Sequence, residues 1–218
     1  GEDWLVDADY LVRNTTEHNM VSVIRDGRVE SQIPECAGLL CSADLPGFGF
    51  SETVVRDYNG VDWHRDIFWC KGDWIVVMDR LIAKTAAQYD FDCVWKALDK
   101  NDIELDGSGG LAVQRAVDLP GVGPDAPSAA PHTFHIVNAS GASSTLRRRV
   151  GTPGPVAMLV QRQSNDLADG SQHAFQNLLY LDGPNETKDY QLHNLDEKSA
   201  VLEAPDSMIL GTGRFEQD

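Results

Sequence analysis

Hydrophobic and polar residues alternate along most of the chain, a pattern typical of β-strands with one buried side and one solvent-facing side. Residues 20–31, MVSVIRDGRVES, predict two short strands joined at Asp26-Gly27, a dipeptide typical of tight hairpin turns. Residues 62–83 predict a second hairpin with Lys71-Gly72-Asp73 at its tip. The residues expected on the buried faces of this hairpin are Ile67, Trp69, Ile75 and Val77.

Further strands are predicted after this hairpin. Residues 88–98, QYDFDCVWKAL, alternate in the same way, and the short connector before them favours antiparallel pairing with the preceding strand in a meander. Residues 173–181, HAFQNLLYL, could form a short helix, but their flanking residues favour a strand. Residues 99–131 are rich in glycine, aspartate, proline and alanine. Within them, we expect residues 121–131, GVGPDAPSAAP, to form a surface loop, because proline lacks an amide donor.

Numerous short strands separated by turn signals are typical of packed antiparallel sheets. The sequence therefore predicts an all-β fold, an antiparallel multi-strand sandwich of supersandwich-like form with little helix. It contains no internal repeat and no clear boundary, so we expect a single β-sandwich domain over residues 1–218.

The charge of the chain limits its partners. The formal net charge is −16, from 34 acidic and 18 basic residues. Nucleic acids and anionic membranes bind basic patches, so neither is an expected partner. No apolar run approaches the roughly 18 residues that a membrane span requires. The start of the chain shows no signal-peptide pattern and no initiator methionine, so we expect a processed or excised part of a longer protein.

Familiar catalytic and metal-binding motifs are missing from the sequence. It contains no Gly-rich phosphate loop, no G-x-S-x-G elbow, no His-Glu-x-x-His motif and no Cys-x-x-Cys pair. Most of the histidines are expected to be half-exposed sheet residues. His132 and His135 should face opposite sides of a strand, so a metal shared between them is not expected.

His18 is distinguished by its neighbours. Glu17 adjoins it, and Asp7 and Asp9 lie upstream near the end of a predicted strand. Imidazole and carboxylate groups are ligands that zinc uses, normally three or four in all. His18 is therefore a candidate catalytic or metal-binding residue, and the alternative is a polar residue at the entrance of a β-hairpin.

The order of several segments resembles the C-terminal β-sheet region of the heparinase II/III-like polysaccharide lyases. The likeness extends over nearly the whole chain and includes a His-Asn pair before a hairpin, an Arg-led strand followed by V-V-x-D-R, and a late F-x-N-L-L segment. The matching segments are WLVDADY at 4–10, EHNMVSVIRDG at 17–27, the hairpin at 62–83 and LVQRQSNDLADGSQHAFQNLLYL at 159–181.

This resemblance implies a polysaccharide lyase in which an α-helical toroid precedes the β-sheets. Such enzymes cleave uronic-acid glycans by β-elimination: a base removes the C5 proton, an acid protonates the leaving oxygen, and the uronate carboxylate must be neutralised. The implied partners are an acidic polysaccharide or oligosaccharide and an N-terminal helical domain or second chain. Without the latter, the chain is expected to be incomplete or inactive. A secreted or periplasmic bacterial protein is expected.

The resemblance also implies candidate site residues. Several members of the family hold a structural zinc in the β-region, and by motif Asp7 and His18 fall on two of its ligands. His18 is also the candidate catalytic residue, and Trp63 and Arg65 in the Arg-led strand are the candidate substrate-binding residues. The sequence lacks the toroid and the His-x-His-x-Asp segment that precede these motifs in family members, so it does not supply a complete lyase site.

Two non-catalytic functions remain as alternatives. Tryptophans could stack on sugar rings in a carbohydrate-binding sandwich, although a tryptophan is more commonly a core residue. Acidic faces or the Arg147-Arg148-Arg149 run could instead dock another chain in a structural or assembly module, although the run is expected to be a solvated turn. The tryptophans considered are Trp63, Trp69, Trp74 and Trp95.

Overall fold

The computed structural model describes residues 4–7, 13–29, 33–98, 103–105, 109–116, 131–150, 155–204 and 208–211. This part of the chain contains sixteen β-strands, a short 3-10 turn at Thr15–Glu17 and no α-helix, which confirms the predicted all-β fold. Among these residues, no helix is long and apolar enough to cross a membrane. The strands are β1 (Val21–Arg25), β2 (Arg28–Val29), β3 (Gly38–Asp44), β4 (Phe48–Tyr58), β5 (Val61–Cys70), β6 (Trp74–Ala83), β7 (Ala87–Leu98), β8 (Ile103–Leu105), β9 (Leu111–Ala116), β10 (Pro131–Asn138), β11 (Ser143–Val150), β12 (Pro155–Leu167), β13 (Gln172–Asp182), β14 (Gln191–Asp196), β15 (Ser199–Glu203) and β16 (Met208–Gly211).

The strands form three antiparallel sheets. Sheet A has the order β11-β12-β7-β1-β2, and its longest pairing joins β7 and β12 over nearly all of their lengths. Sheet B has the order β3-β4-β5-β6-β13-β10-β9-β8, with the β5–β6 hairpin and β13 near its centre. Sheet C consists of β14-β15-β16. The predicted antiparallel multi-strand sandwich is therefore confirmed.

Sheet B is the middle layer, and hydrophobic clusters attach a sheet to each of its faces. The main core joins sheet A to sheet B and contains the fully buried Phe91 of β7 and Leu81 of β6. A second cluster joins sheet B to sheet C and contains Met78 of β6 and Leu202 of β15. The central strands of sheet B are therefore covered on both faces, and each of them contributes side chains to both clusters.

Residues with positive φ form the two tightest turns near the start of the chain. Asp26 has a φ of 49° and Gly27 one of 74°, the backbone sign that a two-residue hairpin loop requires, which confirms the predicted β1–β2 hairpin. Asn59 and Gly60 connect β4 to β5 with φ values of 49° and 89°. The Tyr89 hydroxyl donates a hydrogen bond of 3.0 Å to the Gly60 carbonyl, so this second turn packs against sheet A.

The predicted meander is wrong for β7. This strand pairs with β1 and β12 in sheet A, whereas β6 pairs with β5 and β13 in sheet B. The connector at 84–86 therefore carries the chain from one sheet to the other. A short connector permits either a hairpin or a crossing between packed sheets, and the buried side chains of Tyr89, Phe91 and Trp95 favour a strand that faces sheet B.

The prediction that Trp69 is buried is also wrong, because its side chain is 44% exposed. The buried residues of the hairpin include Phe68 and Val76, which lie on the opposite face. Strands that are covered on both faces have apolar residues on both, so alternation does not identify the more buried face.

Three smaller predictions have different outcomes. Residues 173–181 are part of β13, so the strand interpretation is confirmed. The loop predicted at 121–131 lies outside the described residues except for Pro131, which begins β10, and the strands β8 and β9 lie within the Gly-rich stretch before it. The Arg147-Arg148-Arg149 run lies in β11 and not in a turn, because it pairs along the edge of sheet A with β12. A single domain over 1–218 stays a prediction.

Gly60→Ala is predicted to destabilise the fold more than Gly72→Ala. Both glycines have a positive φ, +89° and +82°, and alanine there costs about 1–2 kcal/mol of backbone strain at either position. A Cβ at Gly60 would also lie 3.0 Å from the Tyr89 hydroxyl, whereas nothing lies within 4 Å of one at Gly72. Urea unfolding should show the larger loss for Gly60→Ala, and equal losses would contradict the close packing of the β4–β5 turn.

Candidate functional site

The structure brings His18 and Asp7 together. The Asn14 side chain accepts a hydrogen bond from the Thr16 amide and caps the 3-10 turn, which leads through His18 into β1. The His18 side chain is buried, and its Nδ1 lies 2.9 Å from Oδ1 of Asp7. The two residues that the sequence singled out are therefore direct neighbours, and the carboxylate fixes the orientation of the imidazole ring.

Asn19 holds the segment that contains Asp7 against sheet A. Its Nδ2 donates to the Val6 carbonyl at 2.9 Å, and its Oδ1 accepts a hydrogen bond of 2.7 Å from the Lys96 amide. Residues 4–7 also bond directly to β7, since the Val6 amide donates to the Lys96 carbonyl at 3.0 Å. The Asn19 side chain thus joins the two segments that meet next to β7. The His-Asn pair is visible in the sequence, but this role of the asparagine was not predicted, because Val6 and Lys96 are distant from it along the chain.

Lys96 places a buried cation beside this pair. Its Nζ donates to the Glu17 carbonyl at 2.8 Å and lies 3.3 Å from Oε2 of the same residue. Burial lowers the pKa of Lys96, and the negative charge of Asp7 opposes that shift. An imidazole, two carboxylates and an ammonium group therefore lie close together where the chain enters β1.

Arg65 and Trp63 lie in an internal network next to the same segment. The guanidinium of Arg65 donates from Nε and Nη2 to the two carboxylate oxygens of Asp79 at 2.7 and 2.9 Å. Its Nη1 donates to the Asn19 carbonyl at 2.7 Å. The Trp63 indole donates to Asp79 at 2.7 Å, and the guanidinium lies over the rings of Trp63 and Trp95. Both side chains are directed to Asp79, and a substrate-binding role for them stays a prediction.

The network continues through polar side chains between the two sheets. The Cys93 thiol lies 4.0 Å from the Asp79 carboxylate, and the Asn177 side chain lies 3.9 Å from the same sulfur. Gln161 donates to Asn177 at 2.6 Å. Burial and the neighbouring Asp79 charge raise the pKa of Cys93 well above its usual value, so this thiol stays protonated at neutral pH.

The described residues supply an incomplete set of zinc ligands. Among them, no group of three or more His, Cys, Asp or Glu side chains is arranged to hold a metal ion. Asp7 and His18 form a pair, whereas a zinc site normally uses three or four ligands. Because Nδ1 of His18 contacts the Asp7 carboxylate, Nε2 is the ring atom that could bind a metal, and the pair by itself supplies fewer ligands than a zinc centre uses.

A second charged cluster lies on the opposite face of the β5–β6 hairpin. His64 Nδ1 and Arg80 Nη2 each lie 3.0 Å from Oε1 of Glu52, and Arg80 Nε donates to Oδ2 of Asp66 at 3.0 Å. Asp66 is fully buried, and its Oδ1 has no hydrogen-bond partner among the described residues. The expectation of a half-exposed His64 is wrong, because strand pairing places the residue among these groups at 8% exposure.

Burial determines the proton affinity of this second cluster. It raises the pKa of Asp66 from 3.8 to about 6, although the Arg80 charge acts in the opposite direction. Burial also lowers the pKa of His64, against the hydrogen bond to Glu52. The sequence contained a usable signal, since His64 and Asp66 are two residues apart and share one face of the strand, but no charged cluster was predicted there.

Another histidine–carboxylate pair lies elsewhere in sheet B. His135 Nε2 lies 2.9 Å from Oδ2 of the buried Asp182, and its ring stacks on Tyr180 at 4.5 Å between centroids. The Tyr190 hydroxyl donates nearby to Asp73 at 2.9 Å. A histidine–carboxylate contact alone therefore does not distinguish His18, which is distinguished by its place in the His-Asn segment beside Lys96 and Arg65.

The comparisons with known proteins identify the fold. No protein-family model and no curated protein matches the sequence. Among solved structures, a heparinase III with methylated lysines is 11% identical to this chain, with a TM-score of 0.65, and the match covers 91% of this chain and 30% of the other. Another heparinase III is 10% identical, with a TM-score of 0.65, and the match covers 90% of this chain and 29% of the other. The heparan sulfate lyase HepC from Pedobacter heparinus is 11% identical, with a TM-score of 0.67, and the match covers 96% of this chain and 33% of the other.

These similarities show that the chain has the fold of a heparinase-like β-sheet region, as the resemblance implied. At about 11% identity, the likeness concerns the fold and not individual site residues. The chain spans about 30% of the length of the heparinase III structure with methylated lysines.

Asp79→Ala is predicted to destabilise the protein strongly. The variant leaves the Arg65 guanidinium buried without its carboxylate partner, which typically costs about 3–5 kcal/mol. The double variant Arg65→Met/Asp79→Ala removes both charges and should recover part of this loss. Urea unfolding of Arg65→Met, Asp79→Ala and the double variant measures the coupling. A double variant no more stable than Asp79→Ala would contradict this account.

Asp66→Asn is predicted to change the pH dependence of stability. The folded-state pKa of Asp66, about 6, lies above its ordinary value of 3.8. The contribution of protonated Asp66 to the free energy of unfolding is therefore fully present below pH 3.8 and is lost as the pH rises through about 6. Relative to the unmodified chain, Asp66→Asn should therefore gain stability between pH 4 and pH 7.5, by on the order of 3 kcal/mol. Urea unfolding across this pH range measures the change.

Asp62→Asn is the matched control, because the pKa of Asp62 is lowered whereas that of Asp66 is raised. Burial alone would raise the pKa of Asp62, but the Asp57 amide and Arg56 together hold it below its usual value. The contribution of ionised Asp62 to the free energy of unfolding is therefore present above pH 3.8 and is lost as the pH falls. The same pH trend for both variants would show that Asp66 does not carry a raised pKa.

Proposed function

We propose that the chain is the β-sheet region of a heparinase II/III-like polysaccharide lyase that cleaves uronic-acid-containing glycans by β-elimination. The observation that carries the proposal is the fold, which matches heparinase III and a heparan sulfate lyase over at least nine-tenths of this chain. The contact between Asp7 and His18 supports it, because the resemblance to the lyases implies these two residues as ligands of one site.

His18 is the residue that we propose for proton transfer or for orienting the substrate. If its Nδ1–H is donated to Asp7, the neutral ring has Nε2 as its basic atom, which suits a general base or a ligand. Lys96 and Arg65 lie nearby but are paired with Glu17 and Asp79, so the positive charge that neutralises the uronate would come from a helical domain or second chain. Positive charge near a uronate would stabilise the negative charge that develops after removal of the C5 proton.

The proposal includes a second structural part. The chain covers about a third or less of the lyases to which it is similar, so a helical domain or a second chain would complete the cleft and bind the acidic polysaccharide with it. A structural zinc near His18 would likewise need ligands from outside the described residues. The protein would act as a secreted or periplasmic bacterial enzyme, where such polymers are accessible.

The test compares the chain with the complete natural protein. Both would be incubated with heparan sulfate, alginate and ulvan, and β-elimination would be followed by the absorbance of the unsaturated product. We expect activity from the complete protein and none from the chain alone. In the complete protein, His18→Ala should lower kcat/KM about 100-fold, the usual size of a general acid–base contribution.

His193→Ala is the control for this variant. His193 is half-exposed in sheet C and lies 3.5 Å from Glu203, so its replacement should leave activity unchanged. Thermal unfolding of both variants separates a lost proton-transfer group from a lost fold. A complete protein that acts on no uronic-acid polymer would refute the lyase proposal, and full activity in His18→Ala would refute the role of His18.

A further inference from the structure

Trp69 differs from the other tryptophans of the hairpin region. Its side chain is 44% exposed, whereas Trp63, Trp74 and Trp95 are each less than a tenth exposed. It lies near the end of β5, on the same face as Arg65 and about 13 Å further along the strand, at 3.3 Å per residue. The edge strand β3, which pairs with β4, is exposed along its whole length, so this edge of sheet B presents an accessible surface.

Gly49 makes room for the indole. Gly49 and Trp69 are direct partners in the pairing of β4 with β5. A Cβ at Gly49 would lie 3.3 Å from Cε3 of Trp69, which is closer than ordinary side-chain contacts. The indole therefore rests against the backbone of β4 at a position where a larger residue would displace it.

The cleft beside Trp69 is lined by apolar and polar side chains together. It has a volume of about 280 Å³, small for a ligand pocket and suited to one or two sugar rings. An exposed aromatic ring and hydrogen-bonding side chains in the same lining match a pyranose, whose C–H face is apolar and whose edge carries hydroxyl groups. Its lining residues are Ser42, Ala43, Asp44, Gly49, Phe50, Ser51, Ile67 and Trp69.

Lys71 neutralises the Asp44 carboxylate in the lining of the cleft. Its Nζ contacts the Asp44 carboxylate, donates to the Leu45 carbonyl at 2.6 Å and lies 5.6 Å from the centre of the Trp69 ring. The carboxylate and the ammonium therefore balance each other. With a net charge of −16 on the whole chain, the surroundings do not favour a strongly anionic ligand here.

We propose that the cleft at Trp69 binds an uncharged pyranose unit of a glycan. The ring of the sugar stacks on the indole, and its hydroxyl groups bond to Ser42, Ser51 and Asp44. This binding site is separate from the Asp7–His18 pair and requires no β-elimination, so it would hold even if the lyase proposal failed.

The test is binding of uncharged hexasaccharides to the intact chain. Cellohexaose, chitohexaose and mannohexaose would be titrated by calorimetry, with the tryptophan fluorescence followed in parallel. We expect at least one of them to bind, and Trp69→Ala to weaken that binding at least about tenfold, as for a central aromatic contact. Trp69→Phe should retain part of the affinity, because it keeps an aromatic face.

Leu39→Ala is the matched control. It removes another exposed apolar side chain of the same sheet edge, 63% exposed, that does not line the cleft, and it should leave the affinity unchanged. Unchanged affinity in Trp69→Ala, or no binding of any uncharged hexasaccharide, would overturn the proposal. Tighter binding of an alginate hexasaccharide would overturn the assignment of an uncharged ligand. Self-association abolished by Trp69→Ala in light scattering, without sugar binding, would identify a protein contact instead.

Discussion

The buried ion pair between Arg65 and Asp79 determines how sheets A and B fit together. The two residues are direct partners across β5 and β6, and the guanidinium also reaches the Asn19 carbonyl in the segment that leads into β1. Trp63 from sheet B and Trp95 from sheet A lie against the same guanidinium. Because a buried charge without its partner is very costly, a shift of β5, β6 or the His18–Asn19 segment would break several of these contacts at once.

The same hairpin carries a second ion pair one residue further on, and the two pairs behave differently. Asp79 accepts hydrogen bonds from Nε and Nη2 of Arg65 and from the Trp63 indole. Asp66 accepts one from Arg80, and its other oxygen has no partner among the described residues. Desolvation therefore outweighs pairing at Asp66, whose pKa rises to about 6, so this face of the hairpin is the more sensitive to pH.

The sequence predicted the elements better than their partners. A period of two identified most strands, the Asp26-Gly27 dipeptide identified the first turn, and flanking residues favoured a strand at β13, because these features depend on local residues. It did not predict that β7 joins sheet A, since pairing depends on which faces meet after the chain folds. It also placed Trp69 in the core and gave Asn19 no role. The exposure of Trp69 and the hydrogen bond from Asn19 to the Val6 carbonyl both depend on contacts between residues distant in sequence.

The distribution of charge follows from these networks. The side chains of Arg65, Arg80 and Lys96 are 18%, 9% and 5% exposed, so three of the cations neutralise internal carboxylates and carbonyls. The buried carboxylates Asp66 and Asp79 cancel the charges of the arginines paired with them, so these internal pairs add little to the net charge of −16 and the acidic excess remains. A polyanionic substrate would be repelled at long range by such a surface. The proposed lyase would therefore need cationic groups of a helical domain or second chain to attract its polymer. An uncharged sugar at Trp69 is not repelled by the acidic surface and could bind without such groups.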